Sequence, residues 1–146
     1  MTFIVSHPTG NVFVKALIEE LNSQGLLYYF STTIGFGRGC NKFFLRFNRN
    51  YNIPNGKIKC EWSHEIKRLL VKSSQEKTRR LTDLTYSKLD NKTSLEIGLG
   101  NAKVVHAYED GAEKTFRKAK ELGIRCSYEL PIAHWKTIRR LLAEEA

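Results

Sequence analysis

One cadence occurs at both ends of the chain: a short apolar run, a turn, an amphipathic stretch closed by glycine, and a second apolar run. Near the start, "TFIVS" (2–6) precedes "HPTGN". A stretch over 11–24 then carries Val12, Phe13, Ala16, Leu17 and Leu21, Gly25 stops it, and "LLYYFSTT" (26–33) follows. Near the end, "KVVHAY" (103–108) precedes "EDGAEKTFRKAKELG", in which Ala112, Phe116 and Ala119 share one helical face, and "IRCSYEL" (124–130) follows. Runs too short and too branched for helices, joined by segments with the 3.6-residue period, predict strand–helix–strand units. Asn11 fits as the cap of the first helix, and Gly25 and Gly123 fit as left-handed stops. Such units build a parallel sheet with helices on both faces and right-handed crossovers. The fold class is therefore α/β, a Rossmann-like parallel sheet, and 146 residues allow one such domain over 1–146.

The middle, 34–102, breaks the cadence. "GFGRGCNKFFLRFNRNYNIPNGK" is rich in Gly and Asn, with a short strand expected at 43–47. "CEWSHEIKRLLVKSS" sets Trp62, Ile66, Leu69 and Leu70 along one helical face, and "TYSKLDNKTSLEIG" sets Tyr86, Leu89, Thr93 and Ile97 along another. The chain has a formal net charge of +9, and residues 38–80 hold 12 Lys/Arg against 3 Glu, so the whole excess lies in this basic insertion. Arg46, Lys67, Arg68, Lys72, Arg79 and Arg80 are its candidate surface cations. A charge so concentrated is expected to meet phosphates or to be a solvated insertion. Interleaved with it are Phe43, Phe44, Phe47, Tyr51 and Trp62, a pattern that suits stacking on single-stranded nucleic acid and equally an anionic membrane.

Composition narrows the remaining classes. At 41% hydrophobic and 27% charged, the chain belongs with globular proteins, and no apolar run reaches the roughly 18 residues of a membrane helix. The N-terminus turns polar too early for a signal peptide, so the cytoplasm is the expected compartment. Cys40, Cys60 and Cys126 are odd in number and lack C-x-x-C spacing, which predicts neither a disulfide framework nor a metal site.

Ligands of open parallel sheets bind beyond the carboxyl ends of the strands. After the first strand stands "SHPTGN", with His7, Gly10 and Asn11. A phosphate or sugar oxygen at the following helix start and a tight turn without ligand are both open readings. "IGFGRGC" (34–40) misses the dinucleotide fingerprint because Cys40 occupies the last glycine position, so no nicotinamide cofactor is expected. "YEDG" places Tyr108, Glu109 and Asp110 at a helix start, where acids serve either capping or substrate. "ELPIAHW" offers Glu129, His134 and Trp135, and a ring beside an imidazole suits a pyranose. His106, inside a strand pattern, reads as a satisfied core residue, and His64 as part of the basic helix.

The stretches 6–36 and 104–145, with "YEDGA", "YELP" and "HW" at their mutual spacing, resemble the N-terminal part of bacterial family 4 glycosyltransferases. The resemblance implies a GT-B enzyme of two Rossmann-like domains facing a cleft. It makes this chain the acceptor-side domain, which transfers a sugar from a nucleotide-sugar donor to a glycan or lipid-linked acceptor. It also places His7 to Asn11 near the donor phosphates and His134 toward the transferred sugar, with no metal or other cofactor. The chain holds no second, donor-binding domain, and "LLAEEA" leaves Glu144 and Glu145 in a last turn that the helix dipole disfavours. A shortened or split reading frame, inactive alone, is the expectation. A separate chain could supply the missing domain, and the basic insertion could hold the protein at the inner membrane face. The rival expectation is a stand-alone basic domain that binds nucleic acid or anionic membrane.

Overall fold

The computed structural model describes residues 1–39, 49–70, 75–130 and 135–145. The strand expected at 43–47, together with Cys40, Arg46, Lys72 and His134, lies outside the described residues. In chain order the elements are β1 (Phe3–Ser6), α1 (Val12–Ser23), β2 (Leu27–Thr32), β3 (Phe36–Arg38), β4 (Asn50–Pro54), β5 (Ile58–Cys60), α2 (Ser63–Leu70), α3 (Gln75–Glu96), β6 (Val104–Tyr108), α4 (Glu113–Glu121), β7 (Arg125–Glu129) and α5 (Trp135–Glu145). Five strands form one parallel sheet in the order β5-β2-β1-β6-β7, and β3 pairs with β4 in a small parallel sheet of its own. Counted among the main-sheet strands alone, this is the doubly wound order 3-2-1-4-5. The protein is an α/β protein with a Rossmann-like sheet.

The period-2 alternation of the strands divides the core into two layers. Val5 and Phe30 pack with Val14, Ile18 and Leu21 of α1 and with Tyr51 and Ile53 of β4. Ile4, Tyr29 and Val105 point the other way, toward Ile97 and Ala119. Burial on both faces explains why these strands read as apolar runs rather than as alternating ones.

Two helix ends follow their sequence signals in full. After α1 the N–H of Gly25 bonds Asn22 O and that of Leu26 bonds Leu21 O. After α4 the N–H of Gly123 bonds Lys120 O and that of Ile124 bonds Ala119 O. These are paired Schellman closures around left-handed glycines. At the other end of α1, Asn11 Oδ1 accepts the Val14 N–H at 2.9 Å.

Four expectations change. The buried stripe of α1 is Val14, Ile18 and Leu21, with Leu17 at its margin, while Val12 and Phe13 stand in solvent. The helix is apolar on more than one side, and the position of β4 decides which side is covered. Residues 58–60, left in the irregular middle, are β5, which pairs with β2. Tyr51 is not an exposed ring in a basic surface: it is buried against Phe30, ring centroids 4.9 Å apart. Finally, α2 turns a carboxylate inward and its apolar stripe outward. Glu65 is 1% exposed, held by Arg49 at 2.5 Å and Arg68 at 2.7 Å, whereas Trp62 is 59% and Leu70 76% exposed. Tyr86, Leu89 and Thr93 do face the protein from α3, which starts ten residues before the expected 85–98, and Ile97 does so from the 3₁₀ turn Ile97–Leu99 that follows it.

Candidate functional site

Between β1 and β6 the winding of the chain reverses, and the carboxyl ends of these two strands open the crevice where doubly wound sheets take ligands. The loop leaving β1 is tied down first. Pro8 O accepts bonds from the Thr33 N–H (3.2 Å) and from the hydroxyls of Thr32 (3.2 Å) and Thr33. Next, His7 Nδ1 accepts the N–H groups of Thr9 (3.1 Å) and Gly10 (2.8 Å). An imidazole that accepts twice at Nδ1 is neutral and carries its proton on Nε2. Gly10 has φ +61, and a Cβ there would collide with the Tyr51 ring. The glycine is therefore explained by the turn and by Tyr51, and two amides available for an anion are instead turned onto His7.

His7 is buried, and its ring lies against Tyr108 with centroids 4.4 Å apart and planes tilted by 55°. Burial lowers its pKa to about 4, opposed by the Glu129 carboxylate and assisted by His106. Its Nε2 is buried and has no hydrogen-bond partner among the described residues.

The register of β6 on β7 sets His106 opposite Ser127 and Tyr108 opposite Glu129. His106 Nδ1 is 3.0 Å from Ser127 Oγ and its Nε2 is 3.2 Å from Glu129 Oε2, a diagonal contact across the pair. The ring is half-buried and satisfied, as read from the strand pattern, but it also couples β6 to the crevice. The signal for this was in the sequence: positions 106 and 108 share a strand face, as do 127 and 129.

Glu109 and Asp110 occupy a 3₁₀ turn, Glu109–Gly111, ahead of α4. They do not cap that helix, because Asp90 of α3 accepts the N–H groups of Lys114 (2.8 Å) and Thr115 (2.9 Å). Sequence reasoning missed Asp90, which lies mid-helix and more than twenty residues from its partners. Freed from capping, Glu109 is half-exposed and Asp110 exposed. The Tyr108 hydroxyl is pushed up by burial and then by Asp110, Glu109 and Glu129. This edge of a strongly basic protein is therefore acidic, with Tyr108 beside its three carboxylates, while the exposed Tyr128 lies near Glu109 and Asp110 and packs its ring against Phe116 of α4.

Of the other expected site residues, Trp135 begins α5, remote in sequence from the β1 loop. In the basic set, Arg68 is spent on Glu65 and Arg80 pairs with Glu76 at 2.8 Å, while Lys67 and Arg79 are exposed. Among the described residues no cluster of three or more His, Cys, Asp or Glu could hold a metal ion, and no helix is long and apolar enough to cross a membrane.

No family model, curated protein or solved structure matches the chain.

Proposed function

We propose that the chain is the acceptor-side domain of a GT-B glycosyltransferase and that its crevice binds the hydroxyl-rich acceptor. One observation carries this reading. Glu109, Asp110 and Glu129 gather with Tyr108 and a neutral His7 at the edge where α/β sheets bind ligands. Carboxylates accept hydrogen bonds from sugar hydroxyls, and phenol rings pack on the apolar faces of a pyranose. The same three charges repel phosphates, so the donor diphosphate and nucleic acid are both poor occupants of this edge. His7 Nε2–H adds one buried donor and fixes orientation rather than charge.

In this reading the nucleotide-sugar phosphates are held by a second domain, continuous with this chain or separate. Catalysis then needs both halves, because in this reading the groups that stabilise the leaving diphosphate belong to the second domain. The isolated chain transfers no sugar.

The test is an amide and imidazole NMR titration of the 146-residue chain with neutral oligosaccharides, nucleotide sugars and a short oligonucleotide. Saccharide shifts at His7, His106 and 108–111 support the proposal. Silence toward every saccharide, with the oligonucleotide perturbing those same signals, removes it. Turnover by the chain alone removes the requirement for a second domain.

A further inference from the structure

The outward-facing stripe of α2 has no part in the acidic crevice. It flanks β5, at the opposite border of the sheet from β7. Trp62, Ile66, Leu69 and Leu70 recur at i, i+4, i+7 and i+8, the spacing of a stripe that ordinarily packs inward. Here the stripe, with Ile34, Phe36 and Cys60, lines an open apolar groove of about 430 Å³. A contiguous apolar surface on a soluble domain marks an interaction site.

This orientation is enforced. Burying Glu65 is costly unless its charge is fully bonded, and Arg49 and Arg68 supply that bonding from two sides. Arg49 also donates to Thr33 Oγ1 at 2.8 Å, which ties the arrangement to the end of β2. At roughly 100° per residue, helical geometry carries Leu70 about 140° around from Glu65, while Trp62 and Leu69, beside the carboxylate, remain 59% and 50% exposed.

The charge around the stripe selects the occupant. Lys67 is exposed and borders the stripe on the side away from Glu65, and the first turns of α3 add exposed Lys77 and Arg79, with Arg80 paired to Glu76. The segment 38–80 holds the whole +9 excess. Leucines and a tryptophan rimmed by long cationic side chains match an interface between acyl chains and anionic headgroups. An aliphatic protein partner would explain the stripe but not the cations, and a nucleic acid would explain the cations but not three exposed aliphatic residues.

We propose that α2 and its groove are a membrane-docking surface, which holds the protein peripherally on anionic lipid with Trp62, Leu69 and Leu70 in the acyl boundary and Lys67 among the headgroups. The proposal stands apart from sugar transfer, because it uses none of the crevice residues.

Vesicle co-sedimentation tests it, with phosphatidylcholine alone compared with roughly equal parts phosphatidylcholine and phosphatidylglycerol. A Trp135→Phe background lets the emission of Trp62 report insertion. Binding is expected on the anionic vesicles only, weakening as salt rises and accompanied by a blue shift of Trp62. Leu69→Gln with Leu70→Gln should weaken it roughly tenfold or more, and Lys67→Gln about fivefold. Both changes lie on solvent-exposed positions, and circular dichroism verifies that each variant is folded. Equal binding to both vesicle types, no binding to either, or full binding by the folded Leu69/Leu70 variant overturns the proposal. So does a self-association abolished by that same variant, or tighter binding to an oligonucleotide than to the anionic vesicles.

Discussion

Asp90 and Thr115 are joined three times, counting the neighbouring amide. The Asp90 carboxylate takes the Thr115 N–H at 2.9 Å and the adjacent Lys114 N–H at 2.8 Å, and the Asp90 carbonyl accepts the Thr115 hydroxyl at 3.1 Å. One buried acid on α3 therefore serves as the N-terminal cap of α4 and locks the two helices on the same face of the sheet. Asp90→Ala should lower stability by about 2 kcal/mol, since it removes a cap and leaves buried amides unpaired. Urea denaturation measures this, and a loss below a few tenths of a kcal/mol would contradict the assignment.

Glu65 should be among the most sensitive single positions. Burial alone would push its carboxyl up, but hydrogen bonds from Arg68 and Arg49 outweigh burial and hold it below the usual carboxylate range. Removing one partner of such a buried arrangement costs about 3–5 kcal/mol, so Glu65→Ala is expected to lose most of its stability margin. Because the folded pKa is depressed, the contribution of Glu65 is present above the unfolded value and disappears as pH falls through the folded one. Restoring full stability with Glu65→Gln would mean that the charge is unimportant.

His7 gives a separate pH signature of related sign. Its folded pKa of about 4 lies below its ordinary 6.5, so between these values the unfolded chain binds a proton that the folded chain refuses. Stability should be full above pH 6.5 and fall by about 3 kcal/mol as pH drops toward 4. His7→Asn can keep an oxygen acceptor for Thr9 and Gly10 and should flatten this dependence. An imidazole titration with a midpoint near 6.5 in the folded protein would contradict the burial argument.

Gly10 is restricted by its neighbour as well as by its own backbone. Gly10→Ala should destabilise the protein by roughly 2 kcal/mol, combining the φ penalty with the collision on Tyr51. The same change at Gly25, which has positive φ but nothing within 4 Å, should cost less. Thermal denaturation of the two variants side by side makes the comparison, and equal losses would show that the Tyr51 contact contributes nothing.

Much of the fold was legible because its signals are local. The strand–turn–helix cadence, the Asn11 cap and the glycine stops at 25 and 123 each depend on residues within a few positions of one another, where backbone sterics and hydrogen-bond closure set the outcome. The same signals placed His7, Tyr108, Glu109 and Glu129 at the ligand edge of the sheet, since strand ends follow from strand positions.

What tertiary structure decided are matters of partnership. Two apolar sides were available on α1, and β4 chose Val14, Ile18 and Leu21. Tyr51 could have been a surface ring, and Phe30 made it core. The stripe of α2 had the period of a buried face, but Arg49, distant in sequence, drew Glu65 inward and turned that stripe to solvent. Glu109 and Asp110 looked like caps until Asp90, from another helix, took the role. By itself the sequence determined the strand–helix–strand units at the two ends and the loops at their strand ends, but not β3, β4 or β5 of the middle. Only long-range contacts could decide which face of each element is buried and which charges remain free, because those depend on what packs opposite.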